Sequence, residues 1–185
     1  HYCLNKEEMN DYCLNKNVII DIGFGMGDAL IKMAEENPDC CFLGIEVYLP
    51  GVASLIRQCI EKELKNIRVV FGDAVLVLEH YIPSGSVEKI QLLFPDPWHK
   101  KRHNKRRIVR HGLISSAQKV LKSDGVFHVA TDWAPYAEEI EGLFNQHSGF
   151  KCSTDSCVIL SKTKYEQRGL RLGHEVKHLF YQKLG

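Results

Sequence analysis

Five short apolar runs recur along the chain, and each stops near a glycine, a proline or an acid. The first, at 18–22, is rich in β-branched residues and leads straight into glycines, as a strand buried on both faces would. Runs at 41–46, 67–71, 87–94 and 125–130 read the same way. Between them lie helical segments: 28–37, closed by Pro38; 50–64, with Pro50 at its start; a stretch after Gly72-Asp73 up to His80; 105–121; and 133–145. Strand and helix alternate five times, which predicts an α/β fold with a doubly wound, mostly parallel sheet covered on both faces. The tail breaks this rhythm. Two more strands are expected there, at 157–160 and 176–181, around a polar insert at 163–174, which makes the sheet seven-stranded. No internal repeat or linker is present. The chain is expected to be one domain, with an N-terminal segment at 1–17 and the extra strands and insert at 150–185.

Composition changes this picture little. At 44% hydrophobic and 25% charged residues the chain reads as a globular protein. No apolar run approaches the ~20 residues of a membrane span, and the N-terminus lacks the basic-then-apolar order of a signal peptide. Seven cysteines, an odd number with no CxxC, argue against a zinc site or a disulfide framework and suit a reducing cytoplasm.

Charge changes it more. The net charge of +1 conceals nine Lys/Arg and no acid between Pro97 and Ser123, set on a body with 15 basic and 23 acidic residues. Solvated helix faces usually mix signs, so a one-sign run favours a polyanion such as nucleic acid over a merely solvated face.

Candidate chemistry falls at the carboxyl ends of the expected strands, where doubly wound sheets bind ligands. After the first comes Asp21-Ile22-Gly23-Phe24-Gly25-Met26-Gly27, whose glycines, Gly23 and Gly25 among them, allow close backbone approach by a ligand. The dinucleotide pattern needs a small residue at 28, but Asp28 sits there, and a carboxylate at a helix start opposes pyrophosphate. A cationic cofactor without phosphate suits this turn better. Glu46 ends the second strand, placed to accept from ribose hydroxyls, and Asp73 follows the third, placed to accept from an adenine amino group. The fourth ends in Phe94-Pro95-Asp96-Pro97-Trp98, a carboxylate clamped between prolines. Seven Lys/Arg follow within the eleven residues 100–110, suited to phosphates around an extruded base. Trp98 stays open between a stack on that base and a core or lid residue. His174 and His178 have helical metal-pair spacing, but their segment reads as strand, which favours structural histidines.

The Asp21, Glu46 and Asp73 layout is similar to that of class I S-adenosylmethionine-dependent methyltransferases, with their Rossmann-like sheet. The pieces IGFGMG, GIEV, GDA, FPDPWHKKRHNKRR, TDW and TKYEQRGLRLGH, in that order from Ile22 to His174, resemble the bacterial tRNA (guanine-N7-)-methyltransferases. The resemblance implies transfer of a methyl group from S-adenosylmethionine to N7 of a guanine in the tRNA variable loop, position 46 in standard tRNA numbering. It implies a donor site at Asp21, Glu46, Asp73 and Asp96, with Asp96 also catalytic. For tRNA it implies Lys100, Asp132, Thr163, Lys164, Tyr165 and Glu166, with Arg102, His103, Asn104, Lys105, Arg106 and Arg107 as the main RNA-interacting run. The family usually carries Glu where this chain has Asp21, one methylene shorter. A cytoplasmic monomer or homodimer without metal or membrane is expected. Two other readings stay open: methylation of an exocyclic amine on RNA or DNA, and a non-catalytic RNA-binding protein on a relict donor fold. The Pro-Asp-Pro order and the TKYE tail speak against the first, and an intact acid set against the second.

Overall fold

A computed structural model of the protein describes residues 6–13, 17–153 and 175–185. Five strands run parallel: β1 (Val18–Ile22), β2 (Cys41–Glu46), β3 (Ile67–Phe71), β4 (Val87–Leu93) and β5 (Leu121–Thr131). With β6 (Phe150–Ser153) and β7 (Lys177–Lys183) they form one sheet in the order β3-β2-β1-β4-β5-β7-β6. Among the described strands only β7 opposes the others, pairing antiparallel with both β5 and β6, so the sheet is mixed. Every residue of β1 is buried, as its continuous apolar run requires for a central strand with helices on both faces. At the β3 edge burial alternates, and Phe71 stands exposed.

The helices segregate by face. On one side α2 (Asp28–Glu36) and α3 (Leu49–Glu61) pack Leu30, Met33, Val52 and Leu55 against Ile19, Phe42 and Val69. On the other, α4 (Ala74–His80), α5 (His111–Val120) and α6 (Ala134–Asn145) cover a larger core that includes Ile20, Ile90, Phe127, Tyr136 and Phe144. The N-terminal segment, for which the sequence predicts no element, contains α1 (Lys6–Cys13). Its Tyr12 hydroxyl bonds to the carbonyls of Phe42 and Asn66, at 3.0 and 2.9 Å, tying α1 to β2 and to the start of β3. Among the described residues no helix is long and apolar enough to cross a membrane.

Two expectations need correction. The single helix expected at 105–121 is instead a 3-10 helix, Lys101–Arg106, a break, and then α5. The break arises because Arg107 and Val109 both turn inward, and Arg110 takes an extended conformation, φ −151° and ψ 168°, as the N-cap of α5. β5 starts at Leu121, which pairs with Val87 before a register shift, and Asp124 within that irregular stretch has φ 64°. Among the described residues Phe150–Ser153 is a strand not among those expected, and the strand expected at 157–160 lies outside the described residues.

Candidate active site

The parallel strands deliver one acid each to the carboxyl edge. Asp21 lies in β1, Glu46 ends β2, Asp73 follows β3, Asp96 follows β4 and Asp132 follows β5. In the sheet order they form a row, and the strand order reverses between β1 and β4, where such sheets bind ligands. Asp21 and Asp96 flank that point.

Glu46 is buried, and its carboxylate organises the glycine turn. Oε2 accepts from Gly25 N at 2.9 Å, and Oε1 accepts from Val47 N at 2.7 Å and Tyr48 N at 2.9 Å. A carboxylate offers about four lone-pair sites, so one direction on Oε2 remains. Gly25 has φ 59°, and both Gly23 and Gly25 face open space where any other residue would carry a Cβ. A glycine that motif reading passed over completes this corner. A Cβ on Gly51 of α3 would overlap the Gly25 carbonyl, so the turn needs a glycine on the helix behind it. Only the tertiary approach of α3 reveals this.

Asp73 is the N-cap of α4, with Oδ1 accepting from Val75 N at 2.9 Å and Leu76 N at 3.1 Å. A cavity of about 380 Å³ lies between Glu46, Gly72 and Asp73 on one side and Lys105, Arg106 and Arg110 on the other. A second, of about 290 Å³, is lined by Asp21, the glycine turn and Phe94, and shares Gly23 with the first.

Asp21 is buried, and loss of hydration lifts its carboxyl from the ordinary 3.8 to about 7. A hydrogen bond from its cross-strand neighbour Gln91 and the charge of Lys89 oppose that rise, while Glu46 adds to it. Burial in turn brings Lys89 down to about 8, against the pull of Asp21.

Asp96 is exposed on an arc fixed at both ends. Phe94 and Trp98 both adopt left-handed backbone, φ 53° and 46°, a conformation costing aromatic residues on the order of 1–3 kcal/mol each. The surroundings hold it. Phe94 N donates to Ala130 O at 2.8 Å, and the His99 ring meets Trp133 edge-on at 4.3 Å. Asn104, in the orientation that satisfies its amide, donates from Nδ2 to the Trp98 and Lys100 carbonyls at 3.1 and 3.3 Å. Asp96, Trp98, His99, Lys100 and His103 border a third cavity, of about 380 Å³. The Arg106 guanidinium lies over the Trp98 ring, 4.9 Å from its centre.

The basic run divides. Lys100, Lys101, Arg102, Lys105, Arg106 and Arg110 are exposed, and His103 is half-buried. Arg107 is not part of that surface, contrary to its place in the expected RNA-facing run. It is buried, pairs through Nη1 with Glu139 Oε2, donates from Nε to Pro97 O at 2.8 Å, and stacks on Tyr136. Asn104 is likewise engaged within the arc. Thr163, Lys164, Tyr165, Glu166 and His174 lie outside the described residues. His178 lies in β7, with Nδ1 3.0 Å from Nε2 of His128, whose pKa burial forces down to about 2. Among the described residues no three His, Cys, Asp or Glu side chains are grouped to hold a metal ion.

The architecture is that of a class I methyltransferase. Solved structures of that kind align along almost the whole chain at low identity. The antibiotic-resistance methyltransferase Kmr has a TM-score of 0.67 at 13% identity, over 98% of this chain and 94% of that one. A mutant of a 16S rRNA (adenine(1408)-N(1))-methyltransferase from Catenulisporales acidiphilia, solved with cosubstrate SAM, has a TM-score of 0.65 at 15% identity over 98% of this chain and 92% of that one. The family described as "Putative methyltransferase" matches residues 15–179. The tRNA (guanine-N(7)-)-methyltransferase of Serratia proteamaculans (strain 568) is 48% identical over 171 residues, 89% of this chain and 72% of that protein. This chain belongs to the tRNA (guanine-N(7)-)-methyltransferase family.

Proposed function

We propose that the protein transfers the methyl group of S-adenosylmethionine to N7 of a guanine in the tRNA variable loop. The observation that carries this reading is the placement of Asp96. Its arc stands at the switch point, beginning at Phe94, which lines the glycine-turn cavity, and continuing through Asp96, Trp98 and Lys100, which line the next. The names of relatives, tRNA and guanine N7, fit that site.

The donor suits the residues present. Space over Gly23 and Gly25 admits it, and Glu46 Oε2 has a direction left for a ribose hydroxyl. Asp73 caps α4 through Oδ1 alone, which leaves Oδ2 for an adenine amino group. Asp21 and Asp28 suit an ammonium and would repel a phosphate. When bound, S-adenosylmethionine supplies an electrophilic methyl group on a sulfonium. Guanine N7 has an in-plane lone pair and no proton, so no general base is needed at that atom. Asp96 orients the base and compensates the positive charge that develops on it. Lys100 and Asp132 contact the tRNA, and the exposed cations hold phosphates. Borohydride–aniline cleavage of product tRNA tests this. Scission in the variable loop is expected, and methyl incorporation without scission would overturn the reading.

Two dependences follow. If ~4–6 phosphates are contacted, the log–log slope of tRNA affinity against salt is about −3 to −5. Filter binding across a salt series measures it, and a flat response removes the basic run from the interface. The second concerns pH. Because the folded-state pKa of Asp21 is raised from 3.8 to about 7, the folded protein binds a proton that the unfolded chain has released. Its contribution to stability therefore falls as pH rises from about 4 to about 7, then levels off. A cationic donor requires the ionised form, so donor affinity rises about tenfold per pH unit below 7 and then flattens. Calorimetric titration of donor from pH 5.5 to 8.5 is the measurement, and Asp21→Asn is expected to abolish the slope.

A further inference from the structure

Arg107 sits in the most basic stretch of the chain yet shares none of its exposure. Its side chain is 5% exposed, while Lys105 and Arg106 just before it are open to solvent. Nε, Nη1 and the plane of the guanidinium each have a partner within the fold, and the side chain also borders the cavity beside Glu46 and Asp73. Nε donates to the carbonyl of Pro97 at 2.8 Å, Nη1 pairs with Glu139 of α6, and the plane lies 4.7 Å from the Tyr136 ring centre. Tyr136 is wholly buried, and its hydroxyl accepts from Val109 N at 3.3 Å, so the same α6 residue holds the chain on both sides of Ile108. Glu139 neutralises the charge that a phosphate would need.

Pro97 is the residue after Asp96, and its rigid ring transmits the position of its carbonyl to the carboxylate. We propose that Arg107 and Glu139 form a staple between the Asp96 arc and α6, which makes Arg107 a positioning residue for methyl transfer rather than a tRNA contact. The inference rests on the reading of Asp96 as the group beside the reacting guanine. A planar fork can serve the carbonyl, the carboxylate and the aromatic face together, whereas an ammonium is a single point charge. A misplacement of about 1 Å at the reacting centre costs on the order of 10²-fold in rate.

Arg107→Lys keeps the cation and removes the fork. At saturating donor and tRNA its kcat is expected to fall by about 10²-fold, with KM for tRNA and the salt slope unchanged. Glu139→Gln should shift kcat in the same direction by less, and the double variant should be no worse than Arg107→Lys alone. A normal kcat with raised KM for tRNA and a salt slope shallower by about 1 would overturn the staple and return Arg107 to the phosphate contacts. So would strict additivity of the two substitutions. If Arg107→Lys does not melt as a folded protein, Glu139→Gln decides on the same readouts. Asp96→Ala in the same assay separates the two levels. Intact transfer there defeats the reading of Asp96, whereas loss there with normal kcat in both staple variants defeats the staple alone.

Discussion

Asp96→Asn is expected to reduce kcat by about 10²–10³-fold at saturating donor and tRNA, the scale of removing one electrostatic contact aimed at developing charge. The substitution is nearly isosteric and the arc cannot collapse around it. Prolines stand on both sides, Phe94 and Trp98 hold left-handed backbone, and Arg107 grips the Pro97 carbonyl. Asp96 itself is exposed, so the melting temperature should hardly move. The loss therefore reports charge and orientation at the guanine. Single-turnover transfer with donor affinity measured in parallel is the check. A weaker donor affinity with an unchanged transfer rate would reduce Asp96 to a donor contact.

Glu46→Gln should weaken donor binding by about 10²-fold and destabilise the fold at the same time. Both oxygens of Glu46 accept backbone N–H groups, from Gly25 on one side and from Val47 and Tyr48 on the other. An amide has one accepting oxygen, so its NH₂ must face either Gly25 N–H or the Val47 and Tyr48 pair. A buried donor left without an acceptor costs about 1–3 kcal/mol, which for a chain of this size lowers the melting temperature by roughly 2–12 °C. The ribose loses its carboxylate in the same step. Thermal melting and donor calorimetry measure both effects. Loss of affinity with no loss of stability would mean that the turn is held by something other than Glu46.

Much of this architecture was legible in the order of residues. β1, β2 and β3 fall at the expected bounds because strands buried on both faces leave uninterrupted apolar runs. The acids at the strand ends, and their difference from a phosphate-binding turn, were visible as pattern. What escaped depends on distance in the chain. Arg107 reads as one more cation in a basic run, and its partner Glu139 is 32 residues away. Gly51 carries no motif, and its need for a bare Cα arises from the carbonyl of Gly25 on another element. The polar helix α1 is tied down by Tyr12 against β2 and the start of β3, a contact that its own sequence does not announce.

On the proposed function the acceptor is the ring nitrogen N7, reached beside Asp96. The most direct test replaces the variable-loop guanine of a tRNA by 7-deazaguanine, which lacks that nitrogen and keeps the exocyclic amine. The modified tRNA is expected to bind with unchanged affinity and to receive no methyl group. Continued transfer to that nucleotide would contradict the proposed function.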